Sequence, residues 1–541
     1  MNEILPIFFL YAEIHYKVFG KINFLWKNLP EIVADLPYRV EPGIDLPVFC
    51  LIKDAHLFPV TLSRIDIEII YPDGDCEKFL FPLHELFIDE RFWGKEYFIR
   101  IKEGFSGYIK ANVYISCLAG GKDYYFKNDN YRKIFHRPFD VFVAKDNLPS
   151  FEGCVNGDMH YHSYFTSDIV EFGAPLDFAK ETAAACGLEF FVSADHSYDF
   201  VYYNHQLEHD VREKKQWEKA LKEAADVNRE PAVCSNKKVI VFQGEEVSCG
   251  NSEGNNIHLV IFNNRKFFHG SGDSVLEWFK NNPDDSLENI LGKVEDDALV
   301  YAAHPDVSVS IIEKIILKRS RWTDTDYLHK RLTGLQILNG IVNAGFFNGL
   351  QKWKQVLLKG EKKFVVAGSD AHGNFNLYRQ MRPPFVLIYE HTKQRFANVW
   401  TGVYINEELN ENAVISALKR GACYITNGPA ARIFVSNEKN ETKEMGETLE
   451  GKAFVLTIEA ISTEEFGRIS TINIFLGDLD SQKEYLFKSF QNISLYLVKE
   501  QMRLLLPCVS FYVRAVVETI RKGGKYICCT NPVWIKKKVL K

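Results

Sequence analysis

No stretch of the chain reaches the roughly 18 to 20 consecutive apolar residues that a membrane-spanning helix needs, so no membrane span is expected. The first ten residues are apolar but carry Glu3, lack a basic flank and offer no small-residue cleavage site, which argues against a secretory signal. Cys-x-x-Cys pairs are missing too. The 11 cysteines are odd in number and irregularly spaced, and the one close pair, Cys528-Cys529, is vicinal. Reduced thiols in a cytoplasmic protein are therefore expected, not a disulfide framework or a zinc-thiolate cluster. Nor is there a large excess of one charge. A formal net charge of −6 leaves no footprint for non-specific nucleic acid binding, except through a local basic cleft.

What is present is enough apolar residue, 46% of 541, for two to four globular domains. Residues 1–150 alternate in short β-like runs. Ile65 to Ile70 reads Ile-Asp-Ile-Glu-Ile-Ile and stops at Pro72-Asp73-Gly74, the pattern of a half-buried strand meeting a turn. A β-sandwich-like domain is expected there, and its isolated histidines, such as His56 and His84, have no convergent partners. Between 151 and 430 the rhythm changes. An Ala-rich helix over Asp177 to Cys186, capped by Gly187, leads into an apolar strand from Leu188 to Val192. Further apolar strands are expected at Val239 to Phe242, Ile257 to Phe262, Leu299 to Ala303, Leu335 to Leu338 and Phe364 to Ala367, with helices between several of them. This alternation predicts an α/β fold, either a βα-barrel or an open parallel sheet, with chemistry gathered where strands end. From 431 to 541 a second β-sandwich-like domain is expected.

The chemistry-bearing stretch runs Gly157-Asp-Met-His-Tyr-His-Ser-Tyr-Phe-Thr-Ser-Asp168. His160 and His162 are two apart, so on an extended segment both imidazoles project from one face and can hold one cation. Alone, the pair also fits two surface histidines. Its weight comes from residues further along the chain: His196 after the strand ending at Val192, Glu245 after Phe242, His304 after Ala303, and Asp370 with His372 after Ala367. His258 is the exception, because it opens its apolar run instead of closing it. With Asp168, nine candidate ligands suit two or three divalent metals. Nitrogen and oxygen donors without thiolate point to Zn, Mn or Fe.

In order, Asp158-x-His160-x-His162-Ser163, Ser167-Asp168, Ala194-Asp195-His196, Gly244-Glu245, His258, Ala303-His304-Pro305 and Gly368-Ser369-Asp370-Ala371-His372 resemble the motifs of the PHP superfamily, the polymerase and histidinol phosphatase domain. The flanking β regions, with Thr426-Asn427-Gly428-Pro429 and Thr530-Asn531-Pro532-Val533-Trp534, resemble its carbaryl-hydrolase-like metallohydrolase branch. The resemblance implies a distorted (β/α)7 barrel and a trinuclear centre. It implies that His160, His162, Glu245 and Asp370 hold one metal, that Glu245 bridges to a second held by His258 and His304, and that His196, His372 and Asp168 hold a third. Gln336 stands where many such relatives carry Glu, and no role is expected for it.

Clustered cations would supply a metal-bridged hydroxide and polarise a phosphoryl or carbonyl oxygen, which predicts a hydrolase of small ester substrates. A phosphoesterase is the leading expectation, a carboxyl ester or carbamate hydrolase the second, and a non-catalytic metal-containing binding scaffold the third. Asp195 is a candidate catalytic residue, to orient His196 or a water, with a supporting structural role as the favoured alternative. Arg379 and Arg382 are candidates to clamp an anionic substrate, with ordinary surface ion pairs as the alternative. The natural substrate and the oligomeric state are not legible.

Overall fold

The computed structural model describes residues 29–131, 135–166, 173–201, 213–273, 281–373, 375–382, 387–391, 393–505, 509–521 and 524–538. Side chains at 201, 213–215, 312, 378–382 and 387–391 also lie outside what it describes. Among the described residues no helix is long and apolar enough to cross a membrane.

The N-terminal strands form two antiparallel-rich sheets. Leu46–Lys53 lies between Glu31–Asp35 and Phe92–Ile99, while Gly107–Ala119, Val60–Ile70 and Cys76–Ile88 lie side by side in a sheet of six. The strand period decides which residues go inward: Ile65, Ile67 and Ile69 are fully buried, while Asp66 and Glu68 project to the other face. The strand stops where Gly74, at φ +89°, closes a turn onto the carbonyl of Tyr71.

Seven central strands position the site: β1 Cys154–His162, β2 Phe190–His196, β3 Ile240–Gly250, β4 Asn256–Phe262, β5 Leu299–Ala303, β6 Gly334–Asn339 and β7 Phe364–Gly368. They lie in that order in one sheet. The helix Leu176–Cys186 joins β1 to β2 and ends on Gly187, whose φ of +94° lets its N–H cap the carbonyls of Ala183 and Ala184. The helix Ala344–Leu358 joins β6 to β7, with its N-terminus capped by Asn343.

The expected α/β barrel is not what forms. Among the described residues 47% are strand and 15% helix. The alternation of strand and helix fails at β3 and β4, which are joined by the short turn 251–255 and pair antiparallel from Gly244↔Phe262 to Gly250↔Asn256. β4 and β5 are antiparallel as well. The physical reason lies in Gln243 to Gly250. These residues read as the polar end of an apolar run, yet hydrogen bonds from β4 satisfy their backbone groups and keep them extended. The sheet also does not stop at residue 430. From β1 it continues through Trp400–Tyr404 and Cys423–Thr426 into Gly524–Thr530, Ser510–Arg521, Arg468–Asp478 and Lys483–Leu495, sixteen strands in all. The chain is a mostly-β, multi-sheet structure and not a (β/α)7 barrel.

Candidate metal centre

Every donor in the site comes from one end of the central strands. β1 and β2 are parallel, as are β2 and β3, and Glu246 of β3 stands beside His196 of β2 in register. β4 runs the other way, so its first residues arrive at the same end and His258 sits opposite Ser248. The apolar run that His258 opens is therefore the antiparallel strand of the set. The pair Ala371–His372 returns to β1 and places His372 next to His162, with the two rings stacked at 3.9 Å.

Three overlapping groups of donors result, each with its atoms within 4.8 Å of one another: His160, His162, Glu246 and Asp370; Glu246, His258 and His304; and His162, His196 and His372. The Nε2 atoms of His160 and His162 are 2.9 Å apart. Asp370 Oδ1 is 3.2 Å from His162 Nε2 and 3.6 Å from His160 Nε2. Around a cation with metal–nitrogen bonds of about 2.0–2.1 Å, tetrahedral ligand atoms stand about 3.3–3.4 Å apart. Glu246 bridges the groups. Its Oε1 is 2.7 Å from His258 Nδ1 and 2.9 Å from His304 Nε2, and its Oε2 is 3.0 Å from His196 Nδ1 and 3.5 Å from both His160 and His162 Nε2.

Glu246 Oε2 gives the test of whether metal fits. It is buried with three imidazole nitrogens around it, yet it makes no hydrogen bond among the described residues. A buried carboxylate oxygen that faces several imidazole nitrogens without a hydrogen bond is a position that a cation would satisfy.

The imidazoles are held from behind. His160 donates from Nδ1 to Gln336 Oε1 at 2.7 Å, leaving Nε2 for the centre. Gln336 in turn donates to Asn339 Oδ1, which reaches Asp370 Oδ2 through its amide at 3.0 Å. Gln336, for which the sequence gives no role, thus holds one candidate donor and steadies a second. Gly368 sits so close that a Cβ there would meet His160 Cβ at 2.6 Å. His258 faces Asp273 Oδ2 with its other nitrogen, at 2.7 Å.

Asp195 is not at the chemistry. Fully buried, it accepts from Ser163 N, Ser163 Oγ, Ser193 Oγ, Thr166 N and Thr166 Oγ1 at 2.7–3.0 Å. Of the two roles open to it, these contacts match the structural one, an anchor for the turn 163–166. Because the Thr166 hydroxyl proton goes to Asp195, Thr166 Oγ1 accepts from His162 Nδ1 at 3.2 Å, which points His162 Nε2 inward.

Glu245 is also displaced from its expected place. Its carboxyl accepts from Ser197 Oγ at 3.0 Å and from Phe268 N at 3.2 Å and joins no donor group. Neighbours on a strand face opposite sides, so a shift of one residue exchanges a ligand for a core group. Counting by twos along β3 from buried Phe242 reaches Glu246, a signal that becomes usable only once the strand is known to continue past Gln243. Asp168 lies outside the described residues. Arg379 and Arg382 are on the hairpin strand Tyr378–Arg382, and their side chains lie outside them as well.

Electrostatics follow the same geometry. Burial opposes ionisation of Glu246, but His258, His160 and His196 hold its carboxyl well below the usual range. Asp370 is held low by His160 and His162 against the same burial. Burial works against the His160 charge, yet Glu246 and Asp370 push its imidazole up to about 9. His162, buried beside His372 and His196, is held well below the usual value. Glu245, whose burial finds no cation, rises to about 8.

No family model and no curated protein matches the chain. Among solved structures, trypsin-activated alpha-2-macroglobulin from Escherichia coli aligns at 8% identity and a TM-score of 0.15, over 94% of this chain and 24% of that one. A glycosyl hydrolase family 2 member from Bacteroides cellulosilyticus aligns at 9% identity and 0.16, over 95% and 64%. The beta-glucuronidase of Parabacteroides merdae aligns at 8% and 0.19, also over 95% and 64%. The chain thus spans less than two thirds of each, and scores this low carry no argument about activity. The expected PHP membership and carbaryl-hydrolase-like branch are corrected accordingly: no family model supports them, and the barrel they imply is absent.

Proposed function

We propose that the protein is a metal-dependent hydrolase and that its substrate is a phosphoester. The observation that carries this reading is the shared position of Glu246, one buried carboxylate serving two of three adjoining donor groups made of imidazole and carboxylate. When bound, adjacent divalent cations acidify a water and draw charge from a phosphoryl oxygen.

The chain's own residues divide the remaining work. Gln336, Thr166 and Asp273 fix which nitrogen of His160, His162 and His258 faces inward. The walls at His160, His162 and Glu246 are closed, with side-chain exposures of 0%, 0% and 1%, whereas His304 and Asp370 are 18% and 15% exposed. Substrate therefore approaches from the His304 and Asp370 side. There a small cavity of about 60 Å³ is lined by His258, His304, Ser308, Arg319 and Trp322, among others. Arg319 gives that approach a cation for an anionic group, although Asp273 and Glu313 share its charge.

The test is turnover of a nitrophenyl phosphate and a nitrophenyl carboxyl ester by protein supplied with Mn or Zn. Hydrolysis of the phosphate, lost in Glu246→Gln, is expected. Ester turnover without phosphate turnover would overturn the phosphoester assignment, and no turnover of either would overturn the hydrolase reading.

A further inference from the structure

A second cavity, of about 360 Å³, opens where the N-terminal sheets, the segment 395–400 and the C-terminal strands meet. No donor of the metal centre lines it. Its walls are aromatic: Tyr108 lies against Phe142 with ring centroids 5.0 Å apart, and Tyr526 meets Phe466 edge-on at 5.4 Å.

Four cations reach this space, and two are already neutralised. Arg39 is closed on Glu41 and Glu465 at 2.6 and 2.9 Å. Lys525 is 2.7 Å from Glu518. Arg521 gives a proton to the backbone carbonyl of Glu465 and is near enough to lower that residue's carboxyl, but forms no salt bridge with a carboxylate among the described residues. Arg395 has neither a hydrogen bond nor an ion pair among them: its guanidinium lies 3.8 Å from the centre of the Tyr38 ring, and its Nε is buried without an acceptor. Trp400, in the same wall, also buries an Nε1 without an acceptor. Buried donors are nearly always satisfied and buried charges paired, so an unpaired guanidinium beside an orphaned indole N–H marks a place that an acceptor fills.

The wall carrying Arg395 is fixed in advance. Ala397 holds a φ of +63°, which is costly for a residue with a Cβ. It is pinned from both sides, with Tyr38 donating to its carbonyl at 2.7 Å and its N–H donating to Asp158 at 3.2 Å. Asn398 donates to the Gly340 carbonyl at 2.7 Å. The backbone beside Arg395 is therefore ordered before any ligand arrives, which lowers the cost of ordering this wall on binding.

We infer that this cavity is a second ligand site, separate from the metal centre, for a small planar aromatic molecule bearing an oxyanion. Arg395 and Arg521 take the oxyanion, with the planar fork of Arg395 suited to a bidentate contact, and the tyrosine and phenylalanine walls take the ring. Neither the proposed hydrolysis nor its substrate is needed for this assignment.

Calorimetry tests it with phenyl phosphate, benzoate and inorganic phosphate as probes, on the wild-type chain and on Glu246→Gln, in which the metal centre is disabled. Benzoate is expected to bind once per chain in both proteins, and phenyl phosphate, itself a phosphoester, once per chain in Glu246→Gln, each more tightly than inorganic phosphate. Arg395→Gln and, separately, Arg521→Gln are expected to weaken this binding at least ten-fold while leaving metal-dependent turnover intact. A stronger heat with benzoate than with phenyl phosphate would assign a carboxylate as the oxyanion and still support the site. Absence of heat with both aromatic probes would overturn the inference. So would binding that disappears in Glu246→Gln, or binding unchanged in both arginine variants.

Discussion

One continuous sheet buries charge in two ways. In its C-terminal strands Arg514 is enclosed with Glu484: two parallel hydrogen bonds of 2.7 and 2.8 Å join them, Tyr512 adds a third to the carboxylate, and the guanidinium lies over Phe475 and toward Trp353. Both side chains are 4% exposed. At the ends of β1 to β7 the buried charges converge instead, with six imidazoles and two carboxylates pointing at shared points and Glu246 Oε2 left without a hydrogen bond. In the first arrangement each charge meets its opposite within the protein, although Arg514 Nη1 is left without an acceptor. In the second, groups of like donors face one another, and under the proposed function cations complete it, which is what distinguishes it from a one-to-one ion pair.

The comparison can be broken most severely at Glu246. Glu246→Gln is expected to lower phosphoester turnover at least about a thousand-fold, the scale of several kcal/mol that metal activation supplies; turnover within ten-fold of wild type would remove Glu246 from the centre. At the other pole, Arg514→Met leaves Glu484 buried and unpaired. Chemical denaturation should show a loss of about 3–5 kcal/mol with metal content unchanged. The double change Arg514→Met/Glu484→Leu is expected to recover most of that, because an apolar pair replaces a closed ion pair, and failure to recover would mean that the pair is not self-contained. Gln336→Ala sharpens the comparison further, since it removes a support and not a ligand. Metal titration should show affinity reduced about 10- to 100-fold, and an unchanged affinity would deny Gln336 its positioning role.

The smallest effect concerns a buried acid that keeps its proton instead of finding a partner. Burial raises Glu189 from 4.5 to about 7, with the Asn156 N–H opposing the rise. Its folded value lies above its unfolded one, so the stabilisation is fully present below pH 4.5 and is lost as pH rises through about 7. Relative to Glu189→Gln, the wild-type chain should lose on the order of 1 kcal/mol across that window, discounted for the partial exposure of the group. Denaturation curves that run parallel from pH 4 to pH 8 would contradict this.

How much of this the sequence reveals depends on whether a feature is local. The helix Leu176–Cys186 and its Gly187 cap, the alternation of Ile65, Ile67 and Ile69, and the histidines at strand ends follow from spacing alone, and seven of the nine expected ligands sit in the donor groups. Pairing is not local. The sequence favours Glu245 over Glu246 because the polar residues after Phe242 read as a strand end, whereas β4 keeps them extended to Gly250. The odd place of His258 at the start of its run is the trace of that antiparallel strand, and the same pairing is what breaks the expected barrel. Asp195 and Gln336 exchange importance for a related reason. Hydrogen-bond partners 29 and 176 residues away in the chain decide what each side chain does.

The most direct test counts metal. Elemental analysis of wild type, Glu245→Gln and Glu246→Gln, each saturated with Zn and then dialysed, sets the two adjacent glutamates against each other. Two or more ions per chain in the wild type, the same number in Glu245→Gln and a loss in Glu246→Gln are predicted. Loss in Glu245→Gln with metal retained in Glu246→Gln would contradict the account.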